Sequence, residues 1–125
     1  MKLVLVEDNA DLAASMRLLL ELRGYDIDCY LNAQALLQKE ATIEDADVVI
    51  SDYYLPDLNG IELIKRIRAY RPAIKAILLT GSREQSIVDA ARAIPGCRVE
   101  FKPLDYESLD RCIREVSSNR AEKVA

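Results

Sequence analysis

Four short stretches carry side chains suited to handling a phosphoryl group: Glu7-Asp8, Asp52, Thr80-Gly81 and Lys102-Pro103. Each directly follows a candidate strand: the apolar runs Leu3–Val6, Val48–Ser51 and Ala76–Leu79, and the alternating Cys97–Phe101. From Asp8 to Asp52, Thr80 and Lys102 the steps are 44, 28 and 22 residues, so only a fold can assemble them. Three carboxylates in one crevice repel each other, and a hard divalent cation offsets that repulsion. Mg²⁺ takes oxygen ligands at about 2.0–2.1 Å and keeps several waters. Asp8 and Asp52 read as its direct ligands, Glu7 as a ligand through water, and the Tyr54 backbone carbonyl as the last protein oxygen. Asp52 then reads as a nucleophile toward phosphorus, where catalysis is mostly positioning and charge stabilisation. One phosphoryl oxygen falls to Mg²⁺, a second to the Lys102 ammonium, and a third to the Thr80 hydroxyl with the Gly81 N–H. The product is an aspartyl phosphate.

Taken singly, each residue has a plainer reading. Glu7-Asp8 and Asp52 can be helix caps, Thr80 can close an ST-turn, and Lys102 can be a solvated charge on a sheet edge. The joint pattern carries the inference, because four strand ends each bring the residue type the chemistry needs.

The elements that must position these groups alternate. Strands are expected at Leu3–Val6, Ile27–Tyr30, Val48–Ser51, Ala76–Leu79 and Cys97–Phe101. A first helix is expected over Asp11–Arg23, with Leu12, Met16, Leu19, Leu20 and Leu22 inward and Gly24 as its stop. A second runs from the cap Asn32 through Lys39, and a third from Ile61 to Tyr70 before Pro72. A fourth, with a Ser82–Gln85 capping box, ends near Ala93. The last is capped by Asp105 and packs through Leu109, Cys112, Ile113 and Val116. This is α/β alternation: a single doubly wound, five-stranded parallel sheet with helices on both faces. The continuous apolar runs suit central strands, and the alternating second and fifth strands suit edges. The flavodoxin-like order 2-1-3-4-5 meets that condition and puts the site outside the carboxyl ends of the strands.

Bulk properties narrow the class. A chain of 125 residues, half hydrophobic and 30% charged, suits one soluble domain. No apolar stretch approaches the ~20 residues of a membrane span, and no signal peptide is evident, so a cytoplasmic protein is expected. A net charge of −4 offers no footprint for direct nucleic-acid binding. Without histidine or a C-x-x-C pair, zinc sites and Cys-His catalysis are disfavoured. Cys29, Cys97 and Cys112 read as reduced thiols among apolar neighbours.

Over residues 2–117 the sequence resembles the receiver domain of bacterial two-component response regulators. Leu3-Val4-Leu5-Val6-Glu7-Asp8-Asn9 resembles the family's first strand and acidic pair. Asp52-Tyr53-Tyr54-Leu55-Pro56-Asp57-Leu58-Asn59-Gly60 resembles the stretch from the phosphoacceptor to a Pro-x-x-x-Gly turn. Thr80-Gly81 and Lys102-Pro103 match the hydroxyl and lysine motifs, and the resemblance implies a cis bond before Pro103. It also implies a receiver over residues 1–118, with 119–125 a tail or linker start. A histidine kinase or histidine phosphotransfer protein would supply the phosphoryl group, and the domain would catalyse its own phosphorylation and dephosphorylation. Homodimers through the fourth helix, fifth strand and last helix are a family habit. Tyr54 and Ser82 stand where relatives tune phosphoryl lifetime. Many relatives carry an aromatic switch three positions before the lysine; here that residue is Val99, while Phe101, one before Lys102, is expected to face the core. Switching then rests on loop and helix movement, and Lys102 is expected to matter more for switching than for folding.

Three other readings are weighed. A degenerate receiver that only docks or dimerises is opposed by the complete residue set. An aspartate-nucleophile phosphatase lacks its proton donor, because Tyr54 stands two residues after Asp52. A flavodoxin-like electron carrier lacks a phosphate-cradling loop, since Glu7-Asp8-Asn9 repels phosphate.

Overall fold

Uninterrupted apolar runs put three strands at the centre of one sheet in this computed structural model, which describes the backbone of residues 1–124 and the side chains of residues 1–118. They are β1 (Lys2–Val6), β3 (Val48–Asp52) and β4 (Lys75–Thr80). All of β3 is buried, as is all but the first residue of β1 and of β4. The edges are β2 (Asp26–Tyr30) and β5 (Cys97–Phe101), whose side chains are mostly half-buried. All pairings are parallel and the order is β2-β1-β3-β4-β5, as the strand patterns imply.

Successive strand residues face opposite sides, so the sheet carries two cores. On one side Val4, Val6, Val49, Ala76 and Leu78 pack against α2 (Ala33–Leu37), α3 (Glu40–Asp45), α4 (Gly60–Tyr70) and α5 (Gln85–Arg92). On the other, Leu3, Leu5, Val48, Ile50, Ile77 and Leu79 meet α1 (Ala10–Leu22) and α6 (Tyr106–Val124). The expected inner face of α6, Leu109, Cys112, Ile113 and Val116, is buried throughout. The three cysteines are free thiols.

Several local expectations are corrected. The leucines at 18, 19, 20 and 22 span more than one helix face; α1 buries Ala13, Met16 and Leu20 and leaves Leu19 and Leu22 exposed. The second predicted helix is two: Asn32 caps α2 as expected, but Lys39 (φ −109°, ψ 65°) breaks the helix before α3. No capping box starts α5, whose N-cap is Glu84; the Ser82 hydroxyl accepts the Glu84 N–H two residues early. Helix α6 runs from Tyr106 to Val124, and the side chains of 119–125 lie outside the described residues.

Candidate functional site at the carboxyl ends of the strands

The parallel topology brings the ends of β1, β3, β4 and β5 to one crevice, and the predicted residues meet there. Oxygen atoms of Glu7, Asp8 and Asp52 all lie within 4.8 Å of one another. Glu7 and Asp52 are buried, whereas Asp8 is exposed at the rim. The Lys102 ammonium reaches across from β5 and bridges two of them, 2.7 Å from Glu7 and 3.1 Å from Asp52. The second Glu7 oxygen accepts the Asn9 N–H at 3.1 Å, and the Asn9 side chain caps α1 through the Leu12 N–H. The first acidic pair is thereby tied to a helix start, and Asn9 is the residue that does the capping.

This electrostatic arrangement holds Asp52 out of its ordinary range. Burial and the neighbouring Glu7 raise its pKa from 3.8 to about 6, and Lys102 only partly opposes them. Burial pulls the Lys102 ammonium down, but hydrogen bonds to Glu7 and Asp52 outweigh it and the pKa is raised. Lys102 is therefore already an ion-pair partner of two carboxylates, which corrects the solvated-edge reading.

Thr80 is fully buried, with its hydroxyl turned toward its own loop. It accepts the Ser82 N–H at 3.0 Å, so the ST-turn reading holds in this conformation. A Cβ on Gly81 would meet nothing within 4 Å, leaving open space beside the crevice. The Lys102–Pro103 bond is cis, and Pro103 is exposed. Tyr54 is 62% exposed, its ring set edge-on against Tyr53. Val99 packs on the α2–α5 core. Phe101 is half-buried rather than a core residue; the Arg83 guanidinium lies 4.2 Å above its ring.

Residues outside the predicted site list also build the site. A Cβ on Gly60 would stand 2.4 Å from the Asp52 carbonyl oxygen and 2.8 Å from Leu78, so only glycine lets α4 start directly behind Asp52. The Ser51 hydroxyl donates to that same carbonyl at 2.9 Å. Asp57 reaches from the loop after β3 to accept the Ala33 and Gln34 N–H groups at 3.1 and 2.9 Å. Burial opposes its charge, but these backbone donors hold its pKa below the ordinary value. The Pro-x-x-x-Gly spacing pointed to Gly60; Asp57, paired with a helix 24 residues away, had no local signal.

Residues 3–114 match the family model described as the response regulator receiver domain. The chain belongs to this family. Receiver domains are regulatory phosphoacceptors of two-component systems and generally bind Mg²⁺ at an acidic pocket. The receiver is 32% identical over 118 residues, 93% of its length, to the C4-dicarboxylate transport transcriptional regulatory protein DctD of Rhizobium meliloti, covering 25% of that protein. It is 28% identical to the transcriptional regulatory protein FixJ of Bradyrhizobium diazoefficiens, covering 58% of it. The chain thus spans a quarter to about three-fifths of these relatives. Among solved structures, a receiver domain protein from Clostridium thermocellum matches in fold with a TM-score of 0.88 at 22% identity, over 99% of this chain and 98% of that one. No helix among the described residues is long and apolar enough to cross a membrane.

Proposed function

We propose that this receiver, placed at residues 1–118 with 119–125 a tail or the start of a linker, is a phosphorylation switch that takes up a phosphoryl group on Asp52. The observation that carries the reading is the cluster of Glu7, Asp8 and Asp52 oxygens within 4.8 Å, with Lys102 3.1 Å from Asp52. The donor set is all oxygen, anionic and partly solvated, which suits Mg²⁺. Asp8 and Asp52 would hold the ion directly, Glu7 through a water, and the Tyr54 carbonyl would complete the protein share. When bound, the ion supplies neutralisation of the carboxylates and of phosphoryl charge.

An Asp52 carboxylate oxygen forms the new O–P bond as the P–N bond to a donor phosphohistidine breaks. The leaving imidazole keeps the electron pair and takes up a proton. The donor is a histidine kinase or a histidine phosphotransfer protein. Lys102 turns from Asp52 toward a phosphoryl oxygen while keeping Glu7. Thr80 exchanges its bond from Ser82 N–H for a bond donated to the phosphoryl group, worth about 1.5–3 kcal/mol at a charged acceptor. That exchange moves the loop of Gly81, Ser82 and Arg83, and Arg83 leaves the Phe101 ring. The loop is then the moving part in a chain whose Val99 has no ring to swing, and the altered α5–β5–α6 face is where homodimers would form. The same residues return the phosphoryl group to water.

Fluorine NMR with beryllofluoride, a phosphoryl mimic, tests the reading. Bound-state resonances should appear with Mg²⁺ on the wild type, weaken in Asp8→Ala and vanish in Asp52→Asn. Resonances that survive Asp52→Asn would place the acceptor elsewhere.

A further inference from the structure

Asp8, Asp52 and Glu7 offer an ion carboxylates, which can turn toward it by changing rotamer. The Tyr54 carbonyl cannot. A backbone oxygen points where its planar peptide unit points, so its aim depends on the segment that carries it. That segment joins β3 to α4.

Both ends of the segment are held. The Tyr53 N–H donates to the Leu79 carbonyl at 2.8 Å, and the Gly60 N–H donates to the Tyr53 carbonyl at 2.8 Å. Asn59 caps α4 by accepting the Glu62 N–H at 2.9 Å. Between those ends, no backbone–backbone hydrogen bond ties residues 54–58 to another element among the described residues. Leu55 and Leu58 pack partly on the core, which sets their distance from the sheet but not the direction of a carbonyl. Pro56 narrows its own φ and the range open to Leu55. The directional tie comes from Asp57. Its two carboxylate oxygens accept one N–H each, from Ala33 at 3.1 Å and from Gln34 at 2.9 Å. A two-point, charge-assisted contact fixes orientation as well as distance.

The anchor for this contact is sound. Helix α2 is rooted in the core through buried Ala33 and Leu36. It also has its own cap, since the Asn32 side chain accepts the Ala35 N–H at 2.8 Å. The second acceptor, 24 residues along the chain, is therefore not needed to start α2. What it gains is a fixed point for the segment after β3.

We propose that Asp57 is a positioning residue for the cation site: by clamping the segment after β3 to the start of α2, it holds the Tyr54 carbonyl ready for Mg²⁺. The assignment rests on the reading of Asp8, Asp52 and Tyr54 as Mg²⁺ ligands. Without the clamp the segment samples more conformations, and an ion must order it on binding. The coupling is reciprocal: a clamp that favours the ion is favoured by the ion to the same factor.

The test is an amide NMR titration of the intact chain with Mg²⁺ at constant ionic strength, on the wild type, Asp57→Ala and Glu62→Gln. Asp57→Ala should bind Mg²⁺ about three- to tenfold more weakly. Glu62→Gln removes an exposed carboxylate from the first turn of α4 without touching the clamp, and should bind as the wild type does. That variant separates positioning from a general loss of negative charge. Reduced fold stability alone would not weaken binding, because a domain of ordinary stability remains almost wholly native after a small loss. In the wild type, saturating Mg²⁺ should slow solvent exchange of the Ala33 and Gln34 amides by about the same factor, a readout that stands even if Asp57→Ala unfolds. Equal affinity in the wild type and Asp57→Ala, an equal loss in Glu62→Gln, or exchange at Ala33 and Gln34 indifferent to Mg²⁺ would overturn the clamp and leave the Mg²⁺ site standing. A wild type that binds no Mg²⁺ would overturn the site and the clamp with it.

Discussion

Asp52 is kept protonated to higher pH in the folded chain than in the unfolded one, and the sign of the consequence follows. Its pKa rises from 3.8 to about 6 on burial beside Glu7. Between those values the native state holds a proton the unfolded state has lost, so stability falls as pH rises through the window and stays lower above it. Asp52→Asn should therefore stabilise the Mg²⁺-free domain at neutral pH, by about 1–3 kcal/mol, and flatten the decline with pH. Urea unfolding near pH 4.5 and near pH 7.5 (both about) checks this, and a variant no more stable at neutral pH would contradict it. Lys102→Met has the opposite sign, because it leaves Glu7, 1% exposed, without its 2.7 Å partner. The expected loss is about 3–5 kcal/mol, less with Mg²⁺ present, read from the same urea midpoints. Residue types at the site were legible from the sequence. The resting partners of Lys102 and Thr80 were not, because a side-chain rotamer depends on neighbours 95 and 2 residues away that compete for the same groups.

Elements position Asp52 through backbone contacts that allow little change. Gly60→Ala would force α4 away from the Asp52 carbonyl, since its Cβ would sit 2.4 Å from that oxygen. A stability loss of about 1–3 kcal/mol is expected, with beryllofluoride affinity reduced alongside; retention of both would mean the helix start can shift freely. Asp57→Ala removes two acceptors from the start of α2 and should lower stability by about 1 kcal/mol with the fold intact. The loop after β4 is held by Arg83 on Phe101. If phosphoryl binding pulls that loop away as proposed, Arg83→Ala should tighten beryllofluoride binding by about two- to fivefold, the worth of ~0.5–1 kcal/mol at an exposed cation–π contact. Strands and the inner face of α6 were legible because burial on one or both faces leaves a period in the sequence. The break between α2 and α3 was not, since Lys39 carries neither the glycine nor the proline that marks one. The inward face of α1 was hidden by leucines around its circumference.

At the scale of the whole molecule, two cores clamp one sheet, and a polar tie closes the α1–α6 side. Buried Asp110 on α6 accepts the Tyr25 hydroxyl and pairs with Arg23 at 3.1 Å and Arg114 at 2.9 Å, joining the last helix to the turn after α1. Sequence periodicity places residue 110 beside the α6 stripe but says nothing of partners 85 and 87 residues away. Which strands lie at the edges, by contrast, followed from which are apolar on both faces, and the flavodoxin-like order 2-1-3-4-5 meets that condition and brings the ends of β1, β3, β4 and β5 to one crevice. The central claim is that this crevice phosphorylates Asp52 with Mg²⁺. Intact-mass spectrometry after incubation with acetyl phosphate, with and without Mg²⁺, on the wild type and Asp52→Asn, tests it most directly. One phosphoryl mass on the wild type, requiring Mg²⁺ and absent from Asp52→Asn, is the predicted result. An equal adduct on Asp52→Asn, or one indifferent to Mg²⁺, would contradict the account.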